Sequence, residues 1–174
     1  IHVGTVVHRY LQRFADEGLS AWNRTRVHAL REAFAVELGL LGVERGEQRA
    51  AAERVALALA RTLEDPDGRW LLEPHAEAKA ELTLTLRICN ALEHIRIDRT
   101  FVADGTRYIV DYKTSQHQGG DEEAFLASEV ERYAAQLERY AQALHALDGR
   151  PVQLCLYFPL LGRLRSWPAL IKEN

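Results

Sequence analysis

The sequence predicts an α/β or α+β domain, with a helical N-terminal part followed by a mixed central β-sheet flanked by helices. Three observations predict it. Apolar residues recur at helical spacing up to about residue 63, a strict two-residue alternation begins at Glu81, and one long amphipathic pattern separates three β-rich runs from two more.

The elements follow in order. Thr5 is suited to cap a first helix carrying Val7, Tyr10, Leu11 and Phe14 on one face. A second helical stretch covers 23–38 and is stopped by Gly39 and Gly42. A third, Ala- and Leu-rich, covers 47–63 and ends before the turn-forming Asp65-Pro66-Asp67-Gly68. Residues 81–88 alternate, which puts Glu81, Thr83, Thr85 and Arg87 on one face of a half-buried strand. Strands over 92–102 and 107–113 flank Asp104-Gly105, the strongest short-range hairpin signal. After a loop with His117, Gly119 and Gly120, a helix spans 121–147. Leu126, Val130, Tyr133, Leu137, Tyr140, Leu144 and Leu147 step along it by threes and fours as one buried stripe. Gly149-Arg150-Pro151 ends it, and 152–158 and 163–167 read as two short strands.

A chain of 174 residues can bury one sizeable core and reads most simply as one domain, 1–174, with a helical part of about 1–65 and a sheet-and-helix part of about 78–168. It opens without Met, as a fragment of a longer protein would. No apolar run of membrane-spanning length occurs, so no membrane partner is expected. Cys89 and Cys155 without CxxC spacing exclude a disulfide framework and an iron–sulfur cluster held by these residues, and fit a cytoplasmic setting. A net charge of −3 means that any nucleic acid must be met by a local basic strip or a neighbouring domain. The basic residues are almost all Arg. Lys occurs only at 79, 113 and 172, and Lys113 sits inside Asp111-Tyr112-Lys113-Thr114, where a compact charge on a flexible stem suits a reactive site.

The hairpin count has a chemical consequence. A two-residue turn at Asp104-Gly105 puts Phe101 opposite Tyr108, Thr100 opposite Ile109 and Asp98 opposite Asp111, with Lys113 on the same face as Asp111. Two facing carboxylates repel, and a hard divalent cation resolves the repulsion. A shared proton, or a salt bridge to Lys113, would resolve it structurally instead. His8, placed in the first turn of its helix, would be kept neutral by the helix dipole and able to bind metal, although a lone helical His is more often a surface residue. Gln136 and Tyr140 are neighbours on the long helix, and packing alone would account for both.

Taken together, Gly4-Thr5-Val6-Val7-His8, Ile97-Asp98-Arg99, Ile109-Val110-Asp111-Tyr112-Lys113-Thr114, Gln136-Leu137-Glu138-Arg139-Tyr140 and Leu156-Tyr157-Phe158-Pro159 form an ordered set. In that set the chain resembles the C-terminal nuclease domain of bacterial RecB/AddA-type helicase–nucleases (exodeoxyribonuclease V beta-like), within the PD-(D/E)XK superfamily. Two positions depart from the pattern: Ile97 replaces the superfamily's Pro, and Ile95 stands where many members have Gly.

The resemblance implies a restriction-endonuclease-like core. It also implies a Mg²⁺-dependent deoxyribonuclease, with Mn²⁺ as an alternative cation. His8, Asp98, Asp111 and the Tyr112 carbonyl would ligate the cation, and Asp98, Asp111 and Lys113 would be catalytic. Gln136 and Tyr140 would line the site and contact DNA, and Glu81 would be a further acid near it. Arg99, Arg132 and Arg139 are candidate contacts to the DNA backbone. The products would carry 5′-phosphate and 3′-hydroxyl ends. The setting implied is a bacterial cytoplasm, where helicase domains of the same parent chain and other subunits of a helicase–nuclease complex feed DNA to an exonuclease in recombinational repair. The alternative is a catalytically inactive nuclease fold that binds DNA or docks subunits. No phosphate-binding GxxxxGK[ST] loop is present, so a motor would lie elsewhere.

Overall fold

The structure is a computed structural model that describes residues 2–88, 91–117 and 119–171; Ile1, Cys89 and Lys172, named or implied above, lie outside them. The described elements run α1 (His2–Glu17), a short 3₁₀ turn (Leu19–Ala21), α2 (Arg24–Ala29), α3 (Arg31–Leu40), α4 (Arg45–Glu64), α5 (Pro66–Leu72), β1 (Ala76–Ile88), β2 (Ala91–Ala103), β3 (Thr106–Tyr112), α6 (Glu122–Asp148), β4 (Val152–Phe158) and β5 (Arg163–Pro168). The predicted class holds: a mixed five-stranded sheet with helices and a helical N-terminal part. The chain divides into two compact units, one of Ile1–Pro74, Tyr112–Gln116 and Tyr157–Leu164, the other of His75–Asp111, His117–Leu156 and Arg165–Asn174.

The first unit is built on α1 to α5. Val6, Val7, Tyr10, Leu11 and Phe14 give α1 a continuous buried stripe, and Phe34, Leu38, Val55, Leu59 and Leu71 are buried with them. Tyr10 meets Phe34 edge-on at 4.9 Å between ring centroids, and Phe14 meets Trp22 at 4.7 Å. Four sequence expectations change here. α1 already includes His2, so Thr5 lies inside it rather than at its N-terminus. The 23–38 stretch is two helices, because Asn23 caps α2 through the Arg26 amide and the chain breaks at Leu30 before α3. The stop is also later, since α3 runs on through Gly39 to Leu40. Asp65-Pro66-Asp67-Gly68 starts a helix rather than making a free turn: Asp65 is the N-cap of α5, accepting from the Gly68 amide, and Pro66 takes the first helical position, where it needs no donor.

A buried tyrosine ties this unit to its last segment. Tyr157 donates its hydroxyl to Asp65 Oδ2 at 2.8 Å, so one carboxylate caps α5 and anchors the phenol. Gly68 makes room for it, because a Cβ there would come within 2.3 Å of the Tyr157 hydroxyl.

The sheet runs in the order β1-β2-β3-β4-β5. β1 and β2, and β2 and β3, are antiparallel. β3 and β4 are parallel, since Arg107 donates to the Pro151 carbonyl and Lys113, six residues on, to that of Tyr157. α6 supplies the crossover. Asp121 caps it through the Glu123 and Ala124 amides, and Gly149, left-handed at φ 69°, closes it. Its buried stripe is shorter than the sequence suggests. Leu126, Leu137, Tyr140 and Leu144 are buried, Val130 and Tyr133 are half-buried, and Leu147 is 64% exposed, while Glu129 takes a buried place instead.

Candidate functional site

The hairpin register is as counted. Asp104 (φ 48°) and Gly105 (φ 75°) are both left-handed, as a type I′ turn demands, and Ala103 pairs with Thr106. Phe101 pairs with Tyr108, Thr100 with Ile109 and Arg99 with Val110, which brings Asp98 level with Asp111 at the next step. Both acids are half-buried, and Asp111 Oδ2 is shut off from solvent.

The structure adds a third acid to this row. Ala80 pairs with Arg99 and Leu82 with Ile97, so Glu81 of β1 is level with Asp98 of β2. A carboxylate oxygen of Glu81 and one of Asp98 lie within 4.8 Å of each other. Glu81, Asp98 and Asp111 therefore stand abreast on three neighbouring strands. Glu81 takes an unusual backbone to do so, with a φ of 52° that a side-chain-bearing residue seldom adopts in a strand. It also accepts a hydrogen bond from Arg96, an ion pair that the sequence reading missed. The signal was the β1–β2 register, which no turn signature sets in the way Asp104-Gly105 sets that of β2–β3.

In the first unit, His8 and the segment that starts at Tyr112, the last residue of β3, form a second group. His8 Nε2 is 3.0 Å from the Tyr112 carbonyl oxygen, and the two rings meet edge-on at 5.5 Å. Gly4, one helical turn before His8, admits the passing chain, since a Cβ there would lie 2.8 Å from Thr114 Oγ1. The Gly4-to-His8 spacing thus serves one contact. His8 lies in the second turn of α1, not the first, so the helix-terminus argument does not apply to it. Lys113 is half-buried and follows the last residue of β3.

The His8 and Tyr112 donors of the first unit have a spacing that a hard cation can bridge. Two cis ligands of an octahedral ion at about 2.1 Å stand roughly 3.0 Å apart, which is the spacing of His8 Nε2 and the Tyr112 carbonyl oxygen. Without a cation the same spacing is that of an Nε2–H donating to the carbonyl, so ligation would need the other tautomer. In the second unit, taken by itself, the row of three acids offers carboxylate oxygens of the kind hard cations prefer.

Other named residues go elsewhere. Arg99 is only 5% exposed, on the strand face opposite Asp98, with its guanidinium 5.7 Å from the Phe101 ring. It shares that buried face with Ile97 and Phe101. Gln136 donates to the Tyr140 hydroxyl at 2.5 Å, so these two are joined on α6. Arg132 pairs with Glu129 and lies over Tyr133. Burial pushes the Cys155 thiol up to about 11, which leaves little thiolate at neutral pH. Among the described residues no helix is long and apolar enough to cross a membrane.

Comparison with known proteins gives a match over nearly the whole chain. The family model of the PD-(D/E)XK nuclease superfamily matches residues 2–170. No curated protein matches the chain in sequence. Among solved structures the crystal structure of SSO0001 is similar at 16% identity and a TM-score of 0.34, over 94% of this chain and 77% of that one.

Proposed function

The chain belongs to the PD-(D/E)XK nuclease superfamily, and on that premise we propose that it is a Mg²⁺- or Mn²⁺-dependent deoxyribonuclease. The observation that carries the reading is the row of acids at one level of β1, β2 and β3. Nucleases of this superfamily use divalent metals. The ligands in this reading are His8, Asp98, Asp111 and the Tyr112 carbonyl, with Glu81 beside Asp98. A bound cation lowers the pKa of a coordinated water and offsets charge on the phosphate.

The protein's own groups do the rest. The Asp98 and Asp111 carboxylates fix the donor geometry. The Lys113 ammonium, a point charge with three donors, holds a phosphate oxygen or the attacking water and offsets charge that builds on the phosphorus oxygens. Water attacks phosphorus, the bond to the 3′ oxygen breaks, and that oxygen takes up a proton. The ends left are a 5′-phosphate and a 3′-hydroxyl. Gln136 and Tyr140, joined on α6, are the proposed DNA-facing pair. The finer reading is an exonuclease of the RecB/AddA type, supplied with DNA by helicase domains of its parent chain during recombinational repair in a bacterial cytoplasm. Its support is the ordered motif set from Gly4 to Tyr140.

The test is cleavage of end-labelled single- and double-stranded DNA with Mg²⁺ and with a chelator, beside Asp111→Ala and Lys113→Ala. Cation-dependent cutting that both substitutions abolish is expected. Variants that cut as well as the wild type would overturn the site assignment, and a wild type that cuts neither alone nor joined to its parent chain would overturn the enzyme.

A further inference from the structure

The β2–β3 ladder stops at Arg99–Val110, whereas the β1–β2 ladder goes on to Ile88–Ala91. Residues 82–88 and 91–97 therefore continue outward from the acid row as a two-stranded ribbon. Its faces differ. Leu82 and Ile97, Leu84 and Ile95, and Leu86 and Glu93 share one face, and Ile95 and Ile97 are buried. Thr83 and Arg96, Thr85 and His94, and Arg87 and Leu92 share the other, and all six are exposed. Two contacts fix that second face independently of the register. Arg96 reaches back to Glu81 of the acid row, and Thr85 Oγ1 is 2.9 Å from His94 Nδ1.

We propose that this polar ribbon face is a track for the DNA backbone, leading the strand to be cut into the acid row. The inference rests on the nuclease reading. A polyanion approaching three carboxylates is repelled, and a chain with a net charge of −3 has no general positive field to offset that. Arg96 and Arg87 put positive charge beside the acids, with the His94 ring between them, at successive two-residue steps of about 7 Å. From Asp98 to Leu92 the face extends about 20 Å, the length of roughly six base steps at 3.4 Å each. Arg96 is the junction. It holds Glu81 with part of its guanidinium fork, and its side chain, 65% exposed, keeps donors for a phosphate. The Thr83 and Thr85 hydroxyls supply neutral donors between the cations.

The experiment is equilibrium binding of a fluorescein-labelled oligonucleotide, single-stranded and duplex in separate arms, in chelator and across a salt series. Arg87→Ala and Arg96→Gln are compared with the wild type and with Arg45→Ala, an exposed residue at the start of α4. Each ribbon substitution is expected to weaken binding several-fold and to lower the slope of log affinity against log salt by about 0.7 for single strands or 0.9 for duplex. Arg45→Ala should change neither. Unfolding curves matching the wild type show that the ribbon variants fold. Unchanged affinity and slope in both ribbon variants, or a wild type that binds no DNA at low salt, overturns the track. A wild type that binds with the expected slopes but never cuts leaves the track standing and removes the nuclease reading, while cutting with unchanged ribbon variants does the reverse.

Discussion

Asp98→Asn tests the acid row directly. Asparagine keeps the shape of the side chain and removes one charge from the middle of three. At the 4.8 Å limit on the Glu81–Asp98 oxygens, two unit charges repel by roughly 1 kcal/mol at the dielectric of water and about 3 kcal/mol at an effective value of 20. Both acids are half-buried and Arg96 already offsets Glu81, so the lower figure applies. In chelator the variant should thus be as stable as the wild type or more so by about 1 kcal/mol, a rise in Tm of roughly 2–4 °C for a chain of this size. With Mg²⁺ or Mn²⁺ the order should reverse. A ligand that binds only the folded state adds about 2.7 kcal/mol when present at one hundred times its Kd, and Asp98→Asn should lose most of that gain. The assay is thermal unfolding of both proteins with chelator and across a cation titration. A variant that is markedly less stable in chelator, yet shifted by the cation as much as the wild type, would refute the row as a cation site.

Other consequences can be measured in the same way. Gly68→Ala should destabilise by about 1–3 kcal/mol, because the new methyl collides with the fully buried Tyr157; adding Tyr157→Phe should relieve part of that cost, so an additive double-mutant cycle in urea would contradict the contact. Glu81→Gly should be about 1 kcal/mol more stable than Glu81→Ala, the reverse of the usual order in strands, because both lose the Arg96 pair and only glycine is at ease at a φ of 52°. Burial works to raise the Asp148 carboxyl, but the Arg150 amide and the Arg107 and Arg150 guanidinium groups outweigh it and hold it below the ordinary 3.8. A carboxyl lowered by folding stabilises above its unfolded pKa and loses that contribution as pH falls through the folded value. The wild type should therefore lose stability below about pH 4 more steeply than Asp148→Asn, and parallel acid limbs in unfolding measurements would rule this out.

What the sequence made legible was what local chemistry dictates. The Asp104-Gly105 turn determines the β2–β3 register by steric rules alone, so the facing of Asp98 and Asp111 could be counted before any fold was known. The Gly149 stop of α6 was equally local. The helix boundaries were harder. Pro66 looks like a breaker in isolation and becomes a helix start only because Asp65 turns back to cap it and Tyr157, distant in sequence, holds the same carboxylate. The resemblance implies Glu81 as a further acid near the site, but its pairing with Arg96 was hidden for a related reason. Their pairing depends on a register that local turn chemistry does not announce, and on a left-handed residue that pattern reading does not foresee. Strand alternation alone places Arg99 on the face of Ile97 and Phe101, where the structure buries it.

Surface turns are the places where chains most readily accept added residues. The turn at Asp104 and Gly105 is an exception. Its two left-handed residues set the distance, counted in residues, between each acid and the end of its strand, and they are exposed and touch neither acid's place in the row. One residue inserted there would slide β3 by one place against β2 and carry Asp111 toward the face now held by Val110, burying a charge and exposing the core residue together. A site on the middle of the sheet is thus sensitive to the length of a loop that touches none of it, and insertion scanning would find this turn the least tolerant of the exposed loops.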